Sequence, residues 1–514
     1  MKKRLNAALV VLLVALAQTA AVAQQIPFLS ELLSRYEEFN RLYTEQRRAG
    51  QNLSAIEPLR KRGEEAFKRG NIPGVLEVIS EGQALLTGKK WDERQRFIAS
   101  LALETDRPVI EPNQVLQMSL TRMFPANIEK AFPSAPTVTF IVAARESVAT
   151  APAQPVVVAE RLSIAETSST ASRKLLLPDG AYDAVAIVEL GAQKLVEIKR
   201  PVYAISDFTD IIAQMSRTVA GIKNSSDAKV KAIAALVATP EFQLQRLAQL
   251  NKARGDFELN PNQEIERIES ALSAIAKGQN PFAAERGEVE RAYQGTDGTL
   301  IPYRLYVPKS YDGANPTRAA SSKPLVVMLH GAYSDERSFF SGLYEPAVIT
   351  GEAERRGWLL AAVNGRSRFA LSQEDVFEVI RAATRDYKVD SGRIYLIGHS
   401  IGGFASWLIA SAKPEMFAGL AAISGGPPVQ GDALTTLLSK LKDKPAMIVH
   451  GAQDGIVPAQ MSRAMAAASE KAGLRVSYLE VADEDHLSVV ASTFPAVLDF
   501  FEKNVKQADS PPRH

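Results

Sequence analysis

The second half of the chain contains the run Arg393-Ile394-Tyr395-Leu396-Ile397-Gly398-His399-Ser400-Ile401-Gly402-Gly403. The run is apolar, ends in the pattern Gly-x-Ser-x-Gly and is followed by a helix-compatible stretch, 404–412. A strand, a glycine-flanked serine and a helix in this order are typical of a nucleophile elbow, where the serine sits in a strained turn. The helix also directs amide N–H groups at any developing negative charge. We therefore predict that Ser400 is a nucleophile, with an ordinary turn serine as the alternative.

Short apolar runs alternate with helix-compatible stretches on both sides of this motif. The predicted strands are 325–329, 359–363, 394–397, 420–423, 446–449 and 476–481, separated by helices such as 373–387, 404–412, 459–472 and 489–503. This alternation is typical of a mostly parallel sheet with helices on both faces. We predict an α/β catalytic domain over residues 287–505, followed by a disordered tail over 506–514.

In such a sheet the functional groups follow the carboxyl ends of the strands. Asp454 follows the fifth predicted strand and His486 follows the sixth. A serine needs an imidazole to accept its proton, and the imidazole needs an acid that fixes its tautomer. The order Ser400, Asp454, His486 is the one expected of an α/β-hydrolase rather than of chymotrypsin or subtilisin. Asp483 and Asp485 are alternative acids, but next to His486 in sequence they are poorly placed to reach its far ring nitrogen.

The chain has five histidines, so few other residues can serve as the base. His399 is the variable residue of the elbow, and His514 is the last residue of the sequence. His330 and His450 each precede a glycine at a strand end, where packing or hydrogen bonding is the favoured role. All four stay open as alternative bases.

A serine nucleophile of this kind also needs an oxyanion hole made of two main-chain N–H groups. Ile401, directly after the nucleophile, offers the first. The second is predicted in the turn after the first predicted strand of the sheet, where Gly331 permits a tight bend and Ala332 is the expected donor. A plain strand-terminating turn at His330-Gly331 is the alternative.

Composition limits the remaining classes of function. A length of 514 residues allows two or three domains with sizeable cores, and a net charge of +2 gives no sign of a nucleic-acid surface. The absence of cysteine excludes disulfides, thiolate metal sites and a cysteine nucleophile. The predicted mechanism requires no metal and no organic cofactor.

The first 23 residues have the pattern of a signal peptide. Lys2, Lys3 and Arg4 precede an apolar run, 7–17, and Ala21-Val22-Ala23 resembles a cleavage site. The run is shorter than the roughly 18 residues of a spanning helix, which disfavours the alternative of an uncleaved membrane anchor. Without a cysteine for lipid attachment, we expect a periplasmic or secreted protein that begins at Gln24 and has no stable membrane insertion.

The sequence of the N-terminal half indicates three regions. Residues 24–134 are mostly helical, and Ala66-Phe67-Lys68-Arg69-Gly70-Asn71 resembles part of a single tetratricopeptide unit, although an ordinary helical hairpin is favoured. Residues 135–206 contain short β-branched runs, which indicate a small β-rich domain. This domain is interpreted as a packing module, with ligand binding as the alternative. Residues 207–286 are helical and end in a linker at Gln279-Asn280-Pro281.

From about Gly295 to Phe501 the sequence resembles the α/β-hydrolase superfamily. More narrowly, it is similar to exported esterases of the polyhydroxybutyrate-depolymerase and feruloyl-esterase type, and to prolyl-oligopeptidase-like hydrolases. The similar segments are Asp297-Gly298, Pro302-Tyr303-Arg304-Leu305-Tyr306-Val307-Pro308, Pro324-Leu325-Val326-Val327-Met328-Leu329-His330-Gly331 and Tyr387-Lys388-Val389-Asp390. Ser400, Asp454 and His486 fall on the triad positions of these enzymes. Several polyester and feruloyl esterases carry a cysteine where Ala332 stands here.

This resemblance implies a serine esterase that acts on a small-molecule or polymeric carboxylic ester through an acyl-enzyme. Two other functions stay open from the sequence. One is a serine peptidase of the prolyl-oligopeptidase type. The other is a binding or adaptor protein in which the hydrolase scaffold is inert and the N-terminal half, whose partner is unknown, carries the function.

Overall fold

The computed structural model describes residues 28–145, 154–164, 167–251, 259–312, 322–332, 334–365 and 371–504. The predicted signal peptide and the predicted tail over 506–514 lie outside these residues. The chain divides into an N-terminal unit that ends at Gly278 and a C-terminal unit that begins at Gln279. In the described parts of the chain, no helix is both long enough and apolar enough to cross a membrane.

In the sequence of the N-terminal unit, the strands of two small sheets come between two groups of helices, and one short helix lies among the strands. Its helices are α1 Leu29–Arg48, α2 Glu57–Lys68, α3 Ile72–Leu86, α4 Glu93–Ser100, α5 Ile128–Ala131, α6 Phe208–Lys223, α7 Ala228–Ile233, α8 Ala238–Gln249 and α9 Pro261–Ala276. Its strands are β1 Leu101–Thr105, β2 Val109–Ile110, β3 Val115–Arg122, β4 Thr137–Ala144, β5 Val156–Ser163, β6 Ser168–Lys174, β7 Gly180–Leu190 and β8 Gln193–Ala204. One sheet has the order β1-β3-β6 and the other β2-β8-β7-β4-β5, with only the β2–β8 pair parallel.

The two sheets share one apolar core. Alternate side chains of β3, such as Leu116 and Met118, are buried together with Val138 and Phe140 of β4. The β-rich part begins at Leu101, earlier than the predicted boundary at residue 135. The reason is that β1 is rich in Leu, Ala and Glu, which favour helix, and pairing with β3 overrides this local preference.

The C-terminal unit is one eight-stranded sheet covered by helices. Its strands are β9 Gly287–Gln294, β10 Leu300–Val307, β11 Lys323–Leu329, β12 Leu359–Val363, β13 Val389–His399, β14 Gly419–Ile423, β15 Ala446–Gly451 and β16 Val476–Val481. Its helices are α10 Pro346–Arg356, α11 Gln373–Asp386, α12 Ile401–Ala412, α13 Asp432–Lys440, α14 Ala459–Lys471 and α15 Ser488–Lys503. The sheet order is β16-β15-β14-β13-β11-β12-β10-β9, parallel from β11 to β16 and antiparallel at β9 and β10. The predicted fold class is confirmed.

Both faces of this sheet are buried, which explains the unbroken apolar runs in its strands. On β11, Leu325, Val327 and Leu329 belong to one core cluster, whereas Val326 and Met328 belong to the cluster on the opposite face. Helices α11 to α14 contribute to the first cluster, and α10 and α15 contribute to the second. The sheet is therefore packed on both faces, and the residues at its edge follow strands that are part of the core.

The residues between the predicted linker, 279–281, and β9 pack on the C-terminal unit. The guanidinium of Arg291 lies 4.1 Å from the ring centroid of Phe282. Arg286 Nε donates a hydrogen bond of 2.9 Å to the main-chain oxygen of Tyr311. The unit thus begins before β9.

Candidate active site

Every predicted site residue of the C-terminal unit lies after the carboxyl end of a parallel strand. Gly331 and Ala332 follow β11, Ser400 follows β13, Asp454 follows β15 and His486 follows β16. Parallel strands end at the same edge of a sheet, so these residues share one edge.

Ser400 has the strained backbone of an elbow. Its φ is 55° and its ψ is −117°, between the end of β13 and the start of α12. This region is costly for a residue other than glycine and persists only where the surroundings enforce it. The N–H of Ser400 donates to the oxygen of Ile423 at 2.9 Å, which ties the turn to β14.

The two glycines of the motif are required by close backbone contacts. A Cβ on Gly398 would lie 2.0 Å from the oxygen of Gly402. A Cβ on Gly402 would lie 2.3 Å from the oxygen of Leu329. Both distances are far below van der Waals contact, so α12 can approach β11 and β13 this closely only with glycine at both positions.

Replacement of Gly402 by alanine is expected to destabilise the protein by about 1–3 kcal/mol and to disrupt the elbow, because the contact with the Leu329 oxygen can be relieved only by a backbone shift. The control is Gly351→Ala in α10, where a Cβ meets no atom within 4 Å. That change should stabilise the protein by up to about 1 kcal/mol. Urea unfolding of the two variants measures the difference, and equal stabilities would contradict the proposed role of Gly402.

A buried hydrogen-bonded cluster surrounds the carboxylate of Asp454. Its Oδ1 accepts from the N–H groups of Ile456 and Val457, both at 2.8 Å. Its Oδ2 lies 2.7 Å from His486 Nδ1 and 3.1 Å from His450 Nε2. The Asp454 side chain has no exposed surface.

Two opposing effects set the protonation of Asp454. Burial by itself raises the pKa of this carboxyl, but the hydrogen bonds from His450 and His486 outweigh it and hold the pKa well below its usual range. Asp454 is therefore a carboxylate at neutral pH. A carboxylate at Nδ1 of His486 places the proton on that nitrogen and leaves Nε2 able to accept one.

The structure joins His486 to Asp454, but among the described residues no hydrogen bond links Ser400 directly to His486. The two are neighbours through His399, whose ring centroid lies 4.7 Å from that of His486. In serine enzymes without substrate such a bond is often long and shortens only in the complex.

The predicted oxyanion turn packs against the elbow. A Cβ on Gly331 would lie 3.4 Å from the Cβ of Ser400. Ala332 is half-buried beside it, and Ile401 is the first residue of α12, where N–H groups have no partner within the helix. The two predicted donors are thus at the same edge as Ser400.

Asp485 and His330, two of the alternative residues, have other contacts. Asp485 Oδ1 accepts from the N–H groups of Leu487 and Ser488, both at 2.9 Å, and so caps the start of α15. His330 Nδ1 lies 2.7 Å from the oxygen of Gly331. His514 lies outside the described residues. Over the described ranges, no group of three or more His, Cys, Asp or Glu residues is arranged to bind a metal ion.

Two buried histidines support this site through partners that the sequence did not predict, although it favoured a packing or hydrogen-bonding role for His450. His450 is hydrogen-bonded to Ser462 Oγ at 2.7 Å and approaches Asp454, four residues further on, a spacing that could have indicated the contact. His399 lies between the Tyr344 hydroxyl and the oxygen of His486, each 2.7 Å from a ring nitrogen. No sequence signal connects Tyr344 with these residues, since their contact depends on the folded sheet.

Comparison with known proteins finds a family model and solved structures to which parts of this chain are similar. Residues 361–505 match the model of the Phospholipase/Carboxylesterase family. Similar solved structures include a thermostable esterase (17% identity, 78% of this chain and 99% of that chain, TM-score 0.36). Another is the fluorophosphonate-binding serine hydrolase FphF of Staphylococcus aureus (15% identity, 42% of this chain and 99% of that chain, TM-score 0.36). A third is a ferulic acid esterase of Anaeromyces mucronatus (14% identity, 41% of this chain and 88% of that chain, TM-score 0.33). No curated protein sequence matches the chain. The C-terminal unit has the α/β-hydrolase fold, and over residues 361–505 it is similar to the phospholipase and carboxylesterase hydrolases.

Proposed function

We propose that this protein is a serine esterase that hydrolyses carboxylic esters through an acyl-enzyme. The observation that carries the proposal is the buried pair of His486 and Asp454, 2.7 Å apart, at the same sheet edge as the strained Ser400. An imidazole held by a buried carboxylate, at the same sheet edge as such a serine, is the arrangement expected to activate a hydroxyl for attack on a carbonyl. The similarity of residues 361–505 to carboxylesterases favours an ester as the substrate.

The proposed reaction has two halves. Ser400 Oγ attacks the ester carbonyl while His486 Nε2 takes the hydroxyl proton, and the main-chain N–H groups of Ile401 and Ala332 stabilise the oxyanion. The tetrahedral intermediate then expels the alcohol, which receives the proton from His486. Water repeats the sequence on the acyl-enzyme, releasing the carboxylic acid and restoring Ser400.

Covalent labelling tests this proposal directly. The full chain is incubated with a fluorophosphonate, and tandem mass spectrometry locates the adduct. Modification of Ser400 and of no other serine is the expected result, because only this hydroxyl is proposed to be activated. A wild-type protein that stays unlabelled, or that is labelled elsewhere, would contradict the proposal.

The substrate class is tested in parallel. Short-chain and medium-chain p-nitrophenyl esters, a feruloyl ester and a polyester are compared with aminoacyl-p-nitroanilides. Ester hydrolysis should exceed anilide hydrolysis, and faster anilide turnover would identify a peptidase instead.

A further inference from the structure

We propose that the buried pair of His399 and Tyr344 positions the imidazole of His486 against Ser400. The inference rests on the proposed function and extends it to two residues outside the predicted triad and the predicted oxyanion donors. His399 is the variable residue of the elbow motif, and Tyr344 lies in the short turn before α10. Each side chain is only 1% exposed.

The pair connects the elbow to the loop that carries the base. His399 Nε2 lies 2.7 Å from the main-chain oxygen of His486, and the Tyr344 hydroxyl lies 2.7 Å from His399 Nδ1. His399 directly precedes Ser400 in the chain, so this bond ties the main chain of the base to the residue next to the nucleophile. Asp454 holds the same histidine at its ring, through Nδ1. His486 thus has one anchor on its main chain and one on its side chain.

The partners of His399 fix a single tautomer. The oxygen of His486 can only accept, so Nε2 must carry the proton and donate. In a neutral imidazole Nδ1 is then an acceptor, and the Tyr344 hydroxyl donates to it. Burial, with a smaller effect of the neighbouring His486, lowers the pKa of His399 to about 3, so the ring is neutral near pH 7. Both hydrogen bonds can therefore form at the same time near pH 7, because Nδ1 carries no proton and is free to accept from Tyr344.

The same pair lies beneath the predicted oxyanion turn. A Cβ on Gly331 would lie 3.0 Å from His399 Nδ1 and 3.3 Å from the Tyr344 hydroxyl. The turn therefore packs directly against the hydrogen-bonded atoms of His399 and Tyr344. The pair contacts three parts of the site: the elbow, the loop of His486 and the turn of Gly331.

Positioning of this kind affects the rate because proton transfer depends steeply on distance. A displacement of about 1 Å by a residue outside the reacting groups can cost about 100-fold in rate. Loss of the bond to the His486 oxygen would allow the base to move relative to Ser400. The effect should fall on kcat, since both residues are buried and neither is proposed to contact the ester.

Two replacements of His399 separate the roles of its ring nitrogens. His399→Asn keeps an acceptor near the position of Nδ1 but loses the donor to His486. His399→Gln places an amide N–H near the position of Nε2 and keeps that donor. We expect His399→Asn to lower kcat about 10- to 100-fold with KM changed less than about threefold, and His399→Gln to stay within about fivefold of wild type.

Tyr344→Phe tests the other half of the pair and keeps the buried ring. It removes the donor that orients His399, so kcat should fall about 3- to 10-fold. The matched control is Tyr395→Phe, since Tyr395 is also 1% exposed but its hydroxyl has no hydrogen-bond partner among the described residues. That control should retain wild-type kcat.

The rate of fluorophosphonate labelling is measured for each variant beside kcat and KM. Labelling that slows in parallel with kcat in His399→Asn, and recovers in His399→Gln, supports positioning. Equal losses in the two variants together with lower melting temperatures would indicate a structural role only and overturn the proposal, as would a wild-type rate in His399→Asn. If the His399 variants do not fold, Tyr344→Phe provides the test of positioning. A kcat equal to that of Tyr395→Phe would then overturn the proposal. Wild-type protein that does not label would instead contradict the proposed function itself.

Discussion

Replacement of Ser400 by alanine is expected to lower kcat for ester hydrolysis by about five to six orders of magnitude. The change removes the atom proposed to form the acyl-enzyme, and neither His486 nor Asp454 can take over that bond. The residual rate should come from the oxyanion donors and from substrate binding alone. Fluorophosphonate labelling should disappear completely, because no other serine is proposed to be activated.

The fold should tolerate this replacement. Among the described residues the Ser400 hydroxyl has no hydrogen bond, so alanine leaves no buried partner unsatisfied. Ser469→Ala is the matched control, since Ser469 in α14 is fully buried and its hydroxyl also has no partner in the described chain. Circular dichroism and p-nitrophenyl ester assays compare the three proteins. Retention of ester hydrolysis by a folded Ser400→Ala protein would refute the assignment of the nucleophile.

The sequence predicts the C-terminal sheet well because its signals are local. The run at Leu325–Leu329 is apolar at every position, which is typical of a strand buried on both faces, and the structure confirms such a strand in β11. The glycines around Ser400 are equally local, since each is required by the backbone of the elbow and of the adjacent strand. Because Asp454 and His486 each follow a predicted parallel strand, their position at the same sheet edge can be predicted without knowing any side-chain contact.

Other features depend on contacts between distant parts of the chain and leave no local pattern. Tyr344 meets His399 only because the turn before α10 folds back toward the end of β13. In the N-terminal unit, β1 has helix-favouring residues and becomes a strand through its pairing with β3. Local propensity is a weak guide in such places, since tertiary pairing determines the structure.

The supports of Asp454 show how the site depends on more than the three predicted residues. Its Oδ2 faces both His486 and His450, and His450 is itself fixed by Ser462, which donates to the oxygen of Gly425 at 2.8 Å. Gly451 allows the close approach of this loop to the next one, because a Cβ there would lie 2.3 Å from the oxygen of Glu484. The acid is therefore held by elements on both sides of β15.

Asp454→Asn is expected to lower kcat about 10⁴-fold while the protein stays folded. The main-chain N–H groups of Ile456 and Val457 both donate to Oδ1, so the amide oxygen of asparagine must occupy that position. The amide nitrogen then replaces Oδ2 and presents a donor to His486 Nδ1. This forces the ring proton onto Nε2, the nitrogen that must accept the proton of Ser400.

The control for this variant is Asp443→Asn, which makes the same change of charge at an exposed position before β15 and should retain wild-type kcat. Steady-state kinetics of both variants separate the tautomer effect from the loss of one negative charge, and KM for Asp454→Asn should change much less than kcat. Because labelling also needs an activated serine, its rate in Asp454→Asn should fall in parallel with kcat. A folded Asp454→Asn protein with kcat within tenfold of wild type would show that another group orients His486, since a wrong tautomer costs about 10⁴-fold.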